Sequence, residues 1–316
     1  LGTGPFQVVG FEPGQRLELK AHRDYWRGDR PRCQGLSFDT VPADHDLVAE
    51  LRADRAHLVQ ELRRHELEQI AADRHFAGGL REHPAFSTFF MLFNRLRGPL
   101  TRPAVRRQLA QLVESALPKA AEHLGRLGVV ARSLIPPGLL PTTSPRPSWS
   151  QGSPEPFDGL ELEVSLHPLL VGQYREFWAA LEAELDAGGL RLKVRASSFA
   201  EVADLVSRRA IDVVIGRWVG DAPDPSSFAG VVHSDEGVFG RMVCHEQVDR
   251  LVERGLEAEG QRRSIYTELE RVLAEEALLW PLFHQQICCV AHPSLEGLRL
   301  GYGWPTVRYD ELSFRG

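Results

Sequence analysis

The residues with the most chemical promise lie in RWVGDAPDP, residues 217–225, directly after the apolar run IDVVIG. A carboxylate at the end of a buried strand, beside an indole, can hold an ammonium or guanidinium through a charge-assisted hydrogen bond. Asp221 has that place. Trp218 offers apolar area and a face for a cation. Arg217 precedes Trp218 on the same strand, so alternation sends it to the opposite face, where it suits a carboxylate or an internal partner. The plainer alternative makes Asp221 a turn former and Trp218 core. Asp224, between two prolines, reads as a turn or cap residue. In FSTFFMLFN (86–94), Phe89, Met91 and Phe93 share one face, with Phe90 and Leu92 on the other. An aromatic stripe of this kind is more often the pattern of a core.

Other chemistries find less support. CHEQVD (244–249) begins like a zinc-protease helix, but such a helix needs a second His at i+4, where this chain has Asp249. The twelve histidines, His284 included, show no ligand spacing. GTGPF (2–6) lacks the Lys-Ser/Thr of a phosphate loop, and no Gly-x-Ser-x-Gly elbow occurs. The expectation is a binding protein with no cofactor and no metal, not an enzyme. Cys33, Cys244, Cys288 and Cys289 match no compact disulfide or zinc framework, and the adjacent pair in FHQQICCVA reads as small buried strand residues.

Composition bounds the partners. A net charge of −6 gives no electrostatic reason for nucleic acid or an anionic membrane. At 316 residues with 43% hydrophobic and 25% charged, the chain is an ordinary globular sequence with enough length for two lobes. No apolar run approaches the roughly 20 residues that span a bilayer. The chain begins LGTGPFQVVG, without an initiator Met or a signal peptide. Processing or a fragment would both look like this, so the compartment is not readable.

The elements that position these residues follow from pattern. PFQVVGF (5–11) and RLELK (16–20) around EPGQ predict a hairpin, and LSFDTVP (36–42) a further strand. Helices are expected at 44–54, 65–74 and 102–117, the last with Pro in its first turn. Residues 136–159, dense in Pro, Ser and Gly, read as an extended connection. After it come strand, helix, strand, helix and strand from LELEVSLH to IDVVIGRW. That order predicts a βαβαβ unit over 160–216 with parallel strands, where ligands gather at the carboxyl ends. Two more helices, HEQVDRLVERGLEAE and RSIYTELERVLAEEAL, precede the apolar strand LLWPLFHQQICCVAH and a short tail rich in glycine and aromatics.

Several of these pieces together resemble one family. GTGPF (2–6), HRDYWRGDRP (22–31), FN (93–94) with Pro99 and VRRQLA (105–110), IDVVIGRWVGDAPDP, and WPLF (280–283) occur in the order seen in extracytoplasmic solute-binding proteins of ABC transporters, family 5, the peptide, dipeptide and nickel class. The resemblance implies an α/β, two-lobed, periplasmic-binding-protein-like (type II) fold, lacking the family's N-terminal part and the helix after its proline-rich connection. Lobe I would be 1–94 continued by 293–316, and lobe II 95–292, with crossings near Asn94 and near 285–292. It implies ligand capture between lobes, with Asp221 in the place that pairs with a peptide's α-amino group and the strand that carries Phe89 bordering the cleft. Expected partners are a peptide or other small polar solute and either an ABC permease or a fused effector domain. Transport would place the chain outside the cytoplasm; a sensor domain of a regulatory protein, or a scaffold that binds no solute, are the alternatives. The shortened lobe I predicts an exposed apolar patch or sheet edge within residues 1–94.

Overall fold

Strand parity organises the first part of the chain, as a computed structural model describing residues 2–42, 44–139, 147, 149, 155–258, 260–301 and 306–315 shows. Much of the proline-rich connection at 136–159 lies outside the described residues. In chain order the elements are β1 (Phe6–Glu12), β2 (Arg16–Ala21), β3 (Gly35–Asp39), α1 (Leu47–Arg52), β4 (Leu58–Gln60), α2 (Arg64–Ala72), β5 (Leu80–Phe93), α3 (Pro103–Ala121), β6 (Gly128–Val130) and β7 (Leu160–Leu166). There follow α4 (Arg175–Ala187), β8 (Leu190–Ala196), α5 (Phe199–Ser207), β9 (Val213–Val219), α6 (Ser226–Ala229), α7 (Gly240–Val243), α8 (Glu246–Glu257), α9 (Arg262–Glu275), β10 (Leu279–Ala291), β11 (Leu295–Glu296) and β12 (Ser313–Phe314).

The chain divides into two compact units, 1–83 with 287–316, and 84–286. Both divisions fall inside strands, β5 and β10, so no turn residue marks them. Asn94, where the sequence placed the first crossing, is ten residues farther on. It is buried in the second unit, where its side-chain amide donates to the carbonyl of Ile211 at 2.8 Å.

In the first unit, β1, β2 and β3 form an antiparallel sheet in that order. Directly paired residues share a face, so Val8, Leu19 and Leu36 form one apolar row and Phe11, Leu17 and Phe38 another. Three residues separate Val8 from Phe11, which would ordinarily oppose them. A bulge between Val8 and Gly10 adds the residue that restores parity. Part of this face is covered: the Phe38 ring meets Tyr309 edge-on at 5.1 Å. Arg30 joins the unit's two chain segments through ion pairs to Asp310 (3.1 Å) and Glu311 (2.7 Å). Toward β1 the face is open. Val8 and Phe11 are 64% and 67% exposed.

In the second unit the strands run in the order β10, β5, β9, β7, β8. β8, β7 and β9 are parallel, linked by α4 and α5, and β5 is antiparallel to β9. Apolar side chains on both faces explain why β5 and β9 read as continuous hydrophobic runs. Phe90 and Leu92 pack with α5, α8 and α9 in one cluster. Phe89, on the other face, stacks on Phe283 at 4.4 Å and meets Tyr174. Among the described residues no helix is long and apolar enough to cross a membrane.

Candidate functional site

The carboxyl ends of β7, β8 and β9 point the same way, because these strands are parallel. β9 ends in Arg217, Trp218 and Val219, and Gly220 leaves the sheet with its amide still donating to the carbonyl of Phe86 at 2.9 Å. A Cβ at Gly220 would lie 2.6 Å from the Phe228 ring. Glycine is required here by close approach: the loop folds back so tightly that α6 packs onto the turn itself.

Three contacts fix the loop that follows. Trp218 Nε1 donates to the carbonyl of Ser227 at 2.6 Å, and its ring packs edge-on against Phe239 at 6.1 Å. The Asp224 carboxylate accepts from the backbone amide of Ser226 at 2.8 Å and from its hydroxyl, capping the short helix α6. Arg262, the first residue of α9, donates to both Asp224 oxygens, with Nη1 to Oδ2 at 2.9 Å, and its Nε donates to the Gly255 carbonyl at 3.1 Å. The guanidinium holds the Asp224 carboxyl far below the usual carboxylate range, and is itself raised by that pairing. Asp224 is therefore structural, as its place between prolines suggested.

Asp221 differs. It is exposed at the tip of this pinned loop, and its carboxylate makes no hydrogen bond or ion pair among the described residues. A carboxylate held on a fixed frame without an internal cation is suited to accept a ligand's donors.

The other predicted residues, Arg217 on β9 and Phe89 on β5, lie on the opposite face of the sheet. Arg217 pairs across to Phe89, and its Nε donates to Ser87 Oγ at 3.0 Å. His167, just past the end of β7, meets Phe89 edge-on at 5.5 Å, and its Nδ1 accepts from the Leu169 amide at 3.2 Å. Burial, with the nearby Arg217 charge second, pushes His167 down to about 4, so the ring is neutral at pH 7. Phe89 is fully buried in this cluster. The structure brings Arg217 and Phe89 together with Ser87 and His167, and separates that group from Trp218 by strand alternation. Sequence reading missed Ser87, His167 and Arg262. His167 carried a signal, as the polar residue ending an apolar strand before Pro168. Arg262 carried none, being 38 residues from its partner.

Two sequence features weighed for metals have other partners. Asp249, at i+4 from His245, accepts from the amide (2.8 Å) and the hydroxyl (2.7 Å) of Ser234. His284 is buried, its Nδ1 sits 2.9 Å from Thr88 Oγ1, and desolvation pushes it down to about 4. No group of three or more potential ligands able to hold a metal occurs among the described residues. Cys288 and Cys289 are buried, and burial raises the Cys289 thiol to about 12.

Residues 1–155 match the model of the bacterial extracellular solute-binding proteins, family 5, middle region. The probable di/tripeptide-binding protein 5 of Pseudomonas aeruginosa is 23% identical over 317 residues, covering 95% of this chain and 59% of that protein. The dipeptide-binding protein of Escherichia coli K12 is 22% identical over 309 residues, covering 91% of this chain and 56% of that one. The chain thus spans less than three-fifths of the length of these curated relatives. Among solved structures, the murein tripeptide binding protein MppA of Escherichia coli superposes with a TM-score of 0.84 at 16% identity, over 98% of this chain and 64% of that one. A dipeptide binding protein from Pseudoalteromonas sp. SM9913, in complex with Met-Leu, gives 0.81 at 17% identity, over 99% and 64%. The fold is the two-lobed periplasmic-binding-protein type.

Proposed function

We propose, on the premise that this chain is related to the family 5 bacterial extracellular solute-binding proteins, that it captures a small polar solute carrying an ammonium group, a short peptide before others. The observation that carries this reading is Asp221: an exposed carboxylate, free of internal cations, on a loop held by Gly220, Trp218 and Asp224. In this reading Asp221 accepts the N–H groups of a peptide's α-ammonium. Trp218, held by its bond to Ser227, supplies apolar surface at the base of the loop. Arg217, engaged by Ser87, supports the strand from the opposite face. The role is reversible binding without chemistry on the solute. The names of the relatives support a peptide, an extracytoplasmic site of action and delivery to an ABC permease.

Calorimetric titration with di- and tripeptides and their N-acetylated forms tests this. Free peptides are expected to bind, with acetylation or Asp221→Asn each weakening them by roughly 1.5–3 kcal/mol, the range for hydrogen bonds to charged groups. Equal affinity of Asp221→Asn for free and acetylated peptides, at the wild-type level, would return the loop to being only a turn.

A further inference from the structure

The second unit holds a cavity that the loop at Asp221 does not use. Its volume is about 110 Å³, between the C-terminal half of α3, the segment after β6, the third turn of α9 and the start of β10. Leu117, Leu273, Leu279 and Trp280 form its apolar wall, and Glu114, Arg132 and Glu270 are the charged residues that line it. The two sites contact different parts of β5, its middle and its C-terminal end. Phe86 bonds Gly220, whereas the amide of Phe93 bonds the carbonyl of Leu278, next to the cavity. Seven residues of strand separate these contacts, about 23 Å at the usual rise.

Glu270 is the group that needs explaining. It is 4% exposed, yet lines a largely apolar space. Its oxygens accept from the backbone amides of Leu134 (3.1 Å) and Ile135 (3.0 Å). A carboxylate offers about four acceptor positions, so two amides leave acceptor capacity unused. The lining carries two acids against one base, and Arg132 is exposed, with its head group able to stay in water. The indole of Trp280 supplies the aromatic face that favours a cation. At about 110 Å³ the space is somewhat smaller than the roughly 150 Å³ dry cavity that holds a benzene, so one ring is the upper limit of what it takes.

We propose that this cavity binds a small organic cation, an ammonium on an apolar body of about one ring, with Glu270 as the counter-charge and Trp280 as the aromatic wall. Burial holds Glu270 up at about 7, against the two amides that favour its charged form. An ammonium prefers the ionised carboxylate, so binding strengthens as pH rises through that value. The charged groups facing it are Glu114 from α3 and Arg132 from the segment after β6; the β10 residues of the lining, Leu279 to Pro281, carry no charge.

The test is calorimetry on the 316-residue chain with benzylamine, which stays protonated from pH 6 to 8, against benzyl alcohol and benzoate. Benzylamine is expected to bind at least about tenfold more tightly than either at pH 8, and to weaken several-fold at pH 6. Ala274→Phe, which fills the cavity, should abolish binding while the circular dichroism spectrum is retained. Glu270→Gln should remove the pH dependence; if that variant does not fold, Ala274→Phe and the pH profile of the wild type decide. Equal binding of amine and alcohol, no binding of benzylamine at millimolar concentration, or unchanged binding in folded Ala274→Phe would each overturn the proposal.

Discussion

Arg262 grips Asp224 through both carboxylate oxygens, and so ties the first turn of α9 to the loop that carries Asp221. The same guanidinium lies 5.6 Å from the Tyr266 ring. Both partners are about one-third exposed, so solvent screens much of the Coulomb attraction and the pair's main effect is geometric. Arg262→Ala is expected to destabilise the fold by only about 1 kcal/mol. It should nonetheless weaken ammonium-bearing ligands at Asp221 several-fold, because the loop then samples other positions. Peptide titration alongside thermal unfolding checks this; undiminished peptide affinity would show that the loop holds without its clamp.

The same pair sets an acid limit. Asp224 is depressed below its ordinary value, so its contribution is present above the unfolded carboxylate value, near 4, and is lost as pH falls below it. Wild-type protein should lose stability faster below about pH 4 than Asp224→Asn does, as read from denaturant midpoints across that window.

Gly220→Ala places a methyl 2.6 Å from the Phe228 ring. Overpacking of this kind typically costs about 1–3 kcal/mol. The variant should melt at a lower temperature, and Phe228→Leu in the same chain should recover part of the loss by making room. A Gly220→Ala protein as stable as wild type would mean that α6 shifts freely.

Glu270 and His284 should tilt stability in opposite directions with pH. Glu270 is raised to about 7, so the stability that its neutral form confers is complete below about 4.3 and is lost as pH rises through 7. His284 is depressed to about 4, so its contribution is present above about 6.5 and is lost as pH falls toward 4. The difference in unfolding free energy between wild type and Glu270→Gln should fall on the order of 2 kcal/mol from about pH 5 to 7.5, and that for His284→Asn should rise over about pH 4 to 6.5. Urea unfolding of the three proteins at matched pH values gives both slopes.

Much of the second unit was legible because its signals are local. The strands and helices from Leu160 to Val219 alternate in apolar period, and their parallel pairing follows from the helices between them. The start of β5 was not legible: LREHPA carries charges and a proline, so only 86–94 read as strand, whereas the strand begins at Leu80. Asp221 and Trp218 could be picked from residue type and place. That the indole N–H is taken by Ser227, that Arg262 reaches Asp224, and that Phe89 is sealed behind Phe283 and Tyr174 are long-range facts. No spacing along one strand encodes them.

The bulge at Val9 gives the first sheet something like a reading frame. Strand side chains have a two-letter alphabet, inward and outward, and one inserted residue converts the phase of everything beyond it unless a bulge absorbs it. Deleting Val9 would remove the bulge and leave a regular ladder, with Val8 still opposite Leu19, Gly10 opposite Glu18 and Phe11 opposite Leu17: the frame has already absorbed one insertion here. Loss of Val9 should therefore be tolerated, whereas deleting Glu18 from the regular strand β2 would set Leu17 and Leu19 on opposite faces.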